Sequence, residues 1–131
     1  MVDLGVNPRF QGLGLTIASP SLAHYNRPPG GLNDMPTYVT LYKWTEQGIK
    51  NVKGAPARIA ESMKVAEAMG GKVLNVWVTM GEYDLIAVSE WPSDEVAAAM
   101  LLAQASQGNV RTTCLKAFNP AEFAEVIKKI P

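Results

Sequence analysis

The sequence predicts an α+β domain whose elements follow the order strand, helix, strand, strand, helix, strand, with an extra helix at the C-terminal end. Three observations support this prediction. From residue 37 onward, aromatic and β-branched residues alternate in short runs typical of strands. Two segments between these runs carry apolar residues at helical spacing. Glycine and proline occur at the boundaries between the predicted strands and helices. With 131 residues and 47% hydrophobic composition, the chain has the material for one domain with a core.

The first half of the pattern contains a strand, a turn and a helix. Residues 37–44 (TYVTLYKW) predict the first strand, and residues 45–49 predict a turn or a short helical turn. A helix is expected over residues 56–69, because Pro56 suits the first helical position and Gly70 can end the helix in a left-handed conformation. Its apolar residues recur every three or four positions: Ile59, Met63, Ala66 and Met69.

The second half repeats the pattern with two strands before its helix. Residues 72–79 and 83–91 predict two strands joined by a short connection. Ser93 is the expected N-cap of the second helix, since two acidic residues follow it in the first turn. Gly108 closes that helix, and residues 109–118 predict the fourth strand.

A last helix is predicted to begin after Asn119. This residue is a good N-cap, Pro120 follows it, and Glu122 stands where a capping box requires an acid. We expect this helix to bury its apolar residues, which are Phe123, Val126, Ile127 and Ile130.

This order is the split β-α-β or ferredoxin-like arrangement, in which both helices cover one face of a four-stranded antiparallel sheet. Strand alternation predicts which residues share a face. If Val39 and Leu41 point to the helices, the open face carries the remaining aromatic and polar set, which is Tyr38, Thr40, Tyr42, Trp44, Asn75 and Trp77. Nucleic acid, a second subunit, or the chain's own arm and final helix could cover this face. Pairing of two such faces would bury apolar surface, so a second copy of the chain is the expected partner, giving a homodimer or higher homo-oligomer.

Composition and charge argue against several function classes. Twelve basic residues balance twelve acidic ones, so no long-range field attracts nucleic acid or an anionic membrane. Residues 83–88 also lack the basic, aromatic strand motif of RNA recognition domains. The single cysteine, Cys114, excludes an intrachain disulfide and a cysteine-rich metal site, and fits a cytoplasmic protein. No histidine follows residue 35, so we expect no metal and no cofactor.

Residues 1–34 differ from the rest of the chain. They are rich in glycine and proline and show no sustained period, which predicts an N-terminal arm that is flexible or docked on the domain, or translated upstream sequence before Met35. His24, the single histidine, lies in this arm and is expected to be a solvated side chain. The domain itself is therefore assigned to residues 35–131.

Four segments in this order resemble the bacterial GYD domain family: residues 35–39, 44–51, 80–84 and 108–112, which read MPTYV, WTEQGIKN, MGEYD and GNVRT. The resemblance covers residues 35–131. It implies the dimeric α+β barrel superfamily, whose members include cofactor-free monooxygenases, isomerases, haem enzymes and simple ligand-binding subunits. The resemblance therefore implies the fold but no particular reaction.

Two function hypotheses follow from the residues. The first is an oligomeric small-molecule-binding or accessory module, in which a small apolar ligand contacts a set of aromatic and polar side chains: Tyr42, Trp44, Gln47, Asn75, Trp77 and Arg111. The alternative is a cofactor-free enzyme of the monooxygenase or isomerase type, with Asp84 as general base and Tyr83 as donor. In the first hypothesis, Asp84 pairs with Arg111 or caps a backbone group, Tyr83 only packs, and Gln47 can equally satisfy its own turn.

Overall fold

The computed structural model describes residues 35–131, and the predicted arm with His24 lies outside the described residues. The described chain has four strands: β1 (Thr37–Trp44), β2 (Lys72–Val78), β3 (Leu85–Glu90) and β4 (Val110–Ala117). It has four α-helices, α1 (Glu46–Lys50), α2 (Ala55–Ala68), α3 (Asp94–Ser106) and α4 (Pro120–Ile127), and a 3-10 turn at Val52–Gly54. The predicted order of elements is confirmed, with ends that differ by one or two residues.

The strands form one antiparallel sheet in the order β2-β3-β1-β4. Helix α2 packs against β2 and helix α3 packs against β4, which confirms the ferredoxin-like fold. Strand β3 begins later than predicted, because the carbonyl of Asp84 accepts the N–H of Thr79 at 2.9 Å and closes the turn between β2 and β3. Gly81 lies in this turn with a φ of +124°, a conformation that favours glycine.

The residues predicted to cap or end helices do so in the structure. Gly70 (φ +83°) follows α2, and Gly108 (φ +84°) follows α3. The Ser93 side chain accepts the N–H of Val96 at 3.3 Å and caps α3. Asn119 and Glu122 form the full capping box of α4, with each side chain accepting the other's backbone N–H, at 2.8 and 3.1 Å.

The prediction that α4 buries its apolar residues is wrong. Phe123, Val126, Ile127 and Ile130 are between 39% and 64% exposed. A 3.6-residue period shows which side chains share a face, but it does not show whether another element lies against that face. In the described chain, α4 therefore presents an apolar surface.

The predicted orientation of β1 is also wrong. Tyr38 is 5% exposed and its hydroxyl donates to Asp94 at the start of α3, while the Tyr42 hydroxyl donates to Oε1 of Gln104 in α3 at 3.2 Å. Tyr38, Thr40, Tyr42 and Trp44 thus face the helices, so Val39 and Leu41 lie on the open face. Either side of β1 is apolar enough to be buried. The side with the tyrosines faces the helices because α3 supplies the polar partners that buried tyrosine hydroxyls need.

The prediction for β2 is confirmed at Asn75 and Trp77, which lie on the open face opposite Val88 and Ile86. Strict alternation would place Leu74 on the same side of the sheet as Val76. The register shifts between Val73 and Asn75, and Val73 and Val76 both line the helix side of the sheet. Leu74 is therefore the additional residue of a β-bulge, and a bulge cannot be deduced from alternation.

The core lies at one end of the sheet, between β1, α2 and α3. It consists of Tyr38, Ala66, Trp91, Ala97 and Met100. Ala66 near the end of α2 and Ala97 near the start of α3 are small residues, so both helices can approach the sheet closely at this end.

Candidate functional site

A cavity of about 100 Å³ lies between the sheet and helices α2 and α3. Because α2 packs against β2 and α3 against β4, the two helices leave a space above the central strands β1 and β3. The core closes the cavity near the start of β1, and the cavity extends along the second half of that strand from Thr40 to Trp44. Most of its lining is apolar, including Trp44, Ile59, Met63, Val76, Leu85 and Met100.

A few polar side chains also reach this cavity. Tyr42 and Gln104 line it and hydrogen-bond to each other. Burial raises the pKa of Tyr42 to about 12, so its hydroxyl stays protonated at neutral pH. Arg58 and Ser62, one helical turn apart on α2, line it as well.

Arg58 uses only part of its guanidinium group. Its Nη1 donates to the backbone carbonyl of Asn51 at 3.0 Å. Its Nη2 is buried and makes no hydrogen bond within residues 35–131. Arg58 is not part of the predicted apolar stripe of its helix and was not among the predicted site residues. One sequence pattern could have predicted its role: Arg58 and Ser62 are four residues apart, and each directly precedes one of the apolar stripe residues Ile59 and Met63.

A cluster of turn residues around α1 lies next to the cavity, because its partners Gln107 and Asn109 line the cavity. Nε2 of Gln47 donates to the carbonyl of Gln107 and to Oδ1 of Asn109, both at 3.0 Å. The Thr45 hydroxyl donates to the carbonyl of Gly108 at 2.5 Å. A Cβ on Gly48 would lie 1.9 Å from the Asn109 carbonyl oxygen, so this close approach requires glycine. Gln47 thus ties α1 to the turn between α3 and β4.

Asp84 and Tyr83 lie at the β2–β3 turn and are not among the residues that line the cavity. Oδ2 of Asp84 accepts the backbone N–H of Trp44 at 2.8 Å, and the Asp84 N–H donates to the Tyr42 carbonyl at 2.9 Å. The Lys43 ammonium lies 5.2 Å from the centre of the Tyr83 ring, a cation–π contact. Asp84 caps backbone in this arrangement, as the module hypothesis expects.

The predicted ligand-binding residues are divided between the two faces of the sheet. Tyr42 and Trp44 line the cavity. Arg111 on β4 lies directly opposite Lys43 on β1 in the sheet register, and Lys43 points away from the helices. Arg111 therefore lies on the open face with Asn75 and Trp77. No group of histidine, cysteine or acidic residues that could hold a metal ion occurs in the described part of the chain. Within residues 35–131, no helix has the length and apolar character needed to cross a membrane.

An antiparallel sheet with two helices on one face, a small cavity beneath them and an apolar second face define a ferredoxin-like domain suited to a binding or accessory role. The chain belongs to the GYD domain family, whose sequence profile matches residues 38–127. A curated relative from Thermus thermophilus is described as "Glutamine synthetase and cystathionine beta-lyase binding protein". It is 30% identical over 95 residues, which cover 72% of this chain and 100% of the relative. No solved structure matches the chain with comparable significance.

Proposed function

We propose that this protein is an oligomeric accessory module that pairs through the open face of its sheet, binds partner enzymes and holds a small molecule in its cavity. The observation that carries the proposal is the match to the Thermus relative, which covers that protein completely. Because the match covers the whole relative, the binding named in that relative's description supports a binding role for the matching domain of this chain. The single cysteine favours a cytoplasmic location for such a module.

Direct binding to purified enzymes tests the accessory role. Glutamine synthetase and cystathionine beta-lyase from the protein's own source organism are the first partners to measure, by interferometry with the immobilised full chain. We expect saturable binding to at least one of them, with an unrelated enzyme of similar size and charge as the control. Dissociation constants weaker than about 100 μM for both enzymes would contradict the proposal.

The composition of the open face supports self-association. Its six apolar side chains are Val39, Leu41, Trp77, Ile86, Val88 and Leu115. Trp77 on the edge strand β2 is 52% exposed and Leu115 on the edge strand β4 is 50% exposed, so the open face presents large apolar side chains to solvent at both edges of the sheet. A second copy of the same face is complementary to it in chemistry, because strands with the same alternation present the same apolar side.

Sedimentation velocity tests the pairing. We expect the parent protein to be a dimer or larger at micromolar concentration, and Trp77→Lys to shift the population toward monomer because it places a charge in the paired surface. Leu102→Lys is the matched control: Leu102 is 70% exposed on α3, away from the open face, and the same change there should leave the oligomer intact. A monomeric parent protein would refute the proposed assembly.

A further inference from the structure

We propose that the cavity between α2 and α3 binds a small organic anion, a carboxylate with a short apolar chain, with Arg58 as its counter-ion. This inference names the ligand class and rests on the small-molecule part of the proposed function. It does not depend on the binding of partner enzymes.

The argument starts from the unsatisfied nitrogen of Arg58. A guanidinium is charged at all relevant pH values and presents its N–H groups in a planar fork that matches a carboxylate. Nη1 is used by the Asn51 carbonyl, whereas the buried Nη2 makes no hydrogen bond in the described chain. No carboxylate lies within ion-pair distance of Arg58 among the described residues. A buried donor on a cation is costly unless a partner is present, and a bound anion would supply that partner.

The position of Arg58 indicates how such a ligand is oriented. Arg58, Ser62 and Gln104 line both the cavity and a groove that runs outward between α2 and α3. They therefore form a polar rim where the cavity meets the groove. A carboxylate at this rim could accept from Nη2 of Arg58 and from the Ser62 hydroxyl or the Gln104 amide, since Tyr42 occupies only the carbonyl oxygen of Gln104.

The interior indicates the rest of the ligand. Below the rim the lining is mostly apolar, with Val76, Leu85 and Met63 around the space. A volume of 100 Å³ is smaller than the roughly 150 Å³ of an engineered cavity that holds benzene, so a chain of about three or four carbon atoms fits. Butyrate has this size and charge, and it is the probe of choice. Butyramide has the same shape without the charge.

Titration of uniformly ¹⁵N-labelled full-length protein with butyrate and with butyramide at pH 7 tests the inference. Protein-detected NMR suits ligands of this size, because so few atoms limit affinity to the millimolar range. We expect butyrate to shift amide signals along β1, α2 and α3 and the Arg58 side-chain signals, and to bind roughly tenfold or more tightly than butyramide, as charge-assisted hydrogen bonds predict.

Three variants locate the effect. Arg58→Gln should weaken butyrate binding by roughly tenfold or more and leave butyramide binding unchanged. Arg58→Lys should retain part of the preference for the anion. Lys64→Gln removes the same charge from an exposed position of the same helix, outside the cavity lining, and should bind butyrate like the parent.

The comparison of the two ligands on the parent protein stands even if an Arg58 variant fails to fold. Equal affinity of butyrate and butyramide would overturn the anion inference and leave the small-molecule part of the proposed function in place. Binding of neither ligand at the cavity would overturn both. Unchanged butyrate affinity in folded Arg58→Gln would also overturn the role of Arg58.

Discussion

Asp84 joins the β2–β3 turn to the end of β1 through two hydrogen bonds and closes the turn itself with a third. Its carboxylate accepts the N–H of Trp44, its own N–H donates to Tyr42, and its carbonyl accepts the N–H of Thr79. The side chain thus satisfies a backbone donor just where β1 leaves the sheet. The same residue carries the enzyme hypothesis, so its energetic role discriminates between the two hypotheses.

We predict that Asp84→Asn destabilises the protein by roughly 1–3 kcal/mol, because it replaces a charge-assisted hydrogen bond to backbone with a neutral one or leaves a donor unpaired. Urea-induced unfolding measures this change. Glu82→Gln is the control: Glu82 lies two residues away, is exposed, and makes only a 3.8 Å contact with Lys43, so it should cost less than about 0.5 kcal/mol. An Asp84→Asn protein as stable as the parent would favour a desolvated catalytic acid instead.

Asp94 connects the sheet to the start of α3. The hydrogen bond from the Tyr38 hydroxyl, followed by that from the Lys116 ammonium at 3.0 Å, lowers the pKa of the Asp94 carboxyl below its ordinary value of 3.8. Burial, and then the bond to Asp94, raises the pKa of Tyr38. The folded state therefore holds the Asp94 proton less tightly than the unfolded state does.

This shift predicts a pH dependence of stability. A carboxyl with a lowered folded pKa contributes stability that is fully present above its unfolded value, 3.8, and is lost as the pH falls through the folded value. Asp94→Asn should therefore be less stable than the parent at pH 7, and the difference should shrink as the pH is lowered below 3.8. Urea unfolding at several pH values measures it. A difference that grows toward low pH would contradict the assigned network.

At the scale of elements, α3 and α4 show two different sources of helical stability. Both helices have a complete N-cap, at Ser93 and Asn119. Helix α3 has Ala97 and Met100 in the core, so tertiary packing holds it. Helix α4 has no buried residue, so local signals determine much of its helicity within the described chain.

We predict that loss of each cap, at about 1 kcal/mol, has a different consequence for each helix. Asn119→Ala should reduce the helical chemical shifts and hydrogen-exchange protection of residues 120–127 while leaving the sheet unchanged. Ser93→Ala should lower global stability without local fraying of α3, because the helix unfolds only with the core. Backbone NMR on both variants makes the comparison. Equal, global effects would show that α4 is packed in solution.

At the scale of the whole molecule, the sheet separates two surfaces of different shape and composition. The helix side encloses the cavity, and the open side carries Trp77 and Leu115 in exposed positions. A partner on the open face can therefore bind without closing the groove between α2 and α3. This separation allows assembly and ligand binding to be tested independently.

We predict that deletion of residues 1–34 leaves the fold and the oligomer intact, because the periodic apolar pattern begins only with β1. Circular dichroism melting and sedimentation of the truncated and full chains measure the effect. A fall of more than a few degrees in melting temperature would show that the arm packs on the domain, and a change in mass would show that it contributes to assembly.

Local chemistry explains why the sequence alone determined the order of elements, the helix caps and the glycine turns. A cap such as Asn119 or a positive φ at Gly70 depends on atoms within a few residues, so the residue type is sufficient to predict it. The family resemblance rested on such local segments and is confirmed by the profile match.

The direction in which each face points depended on the tertiary structure. Alternation separates Tyr42 from Leu41 but cannot say which one meets a helix, and that choice depended on Gln104 of α3, 62 residues away in the chain. The bulge at Leu74 and the exposed face of α4 depend likewise on what lies opposite. The cavity, with Arg58 in its lining, depends on helices α2 and α3 packing on different strands, a relation between distant segments that no local pattern encodes.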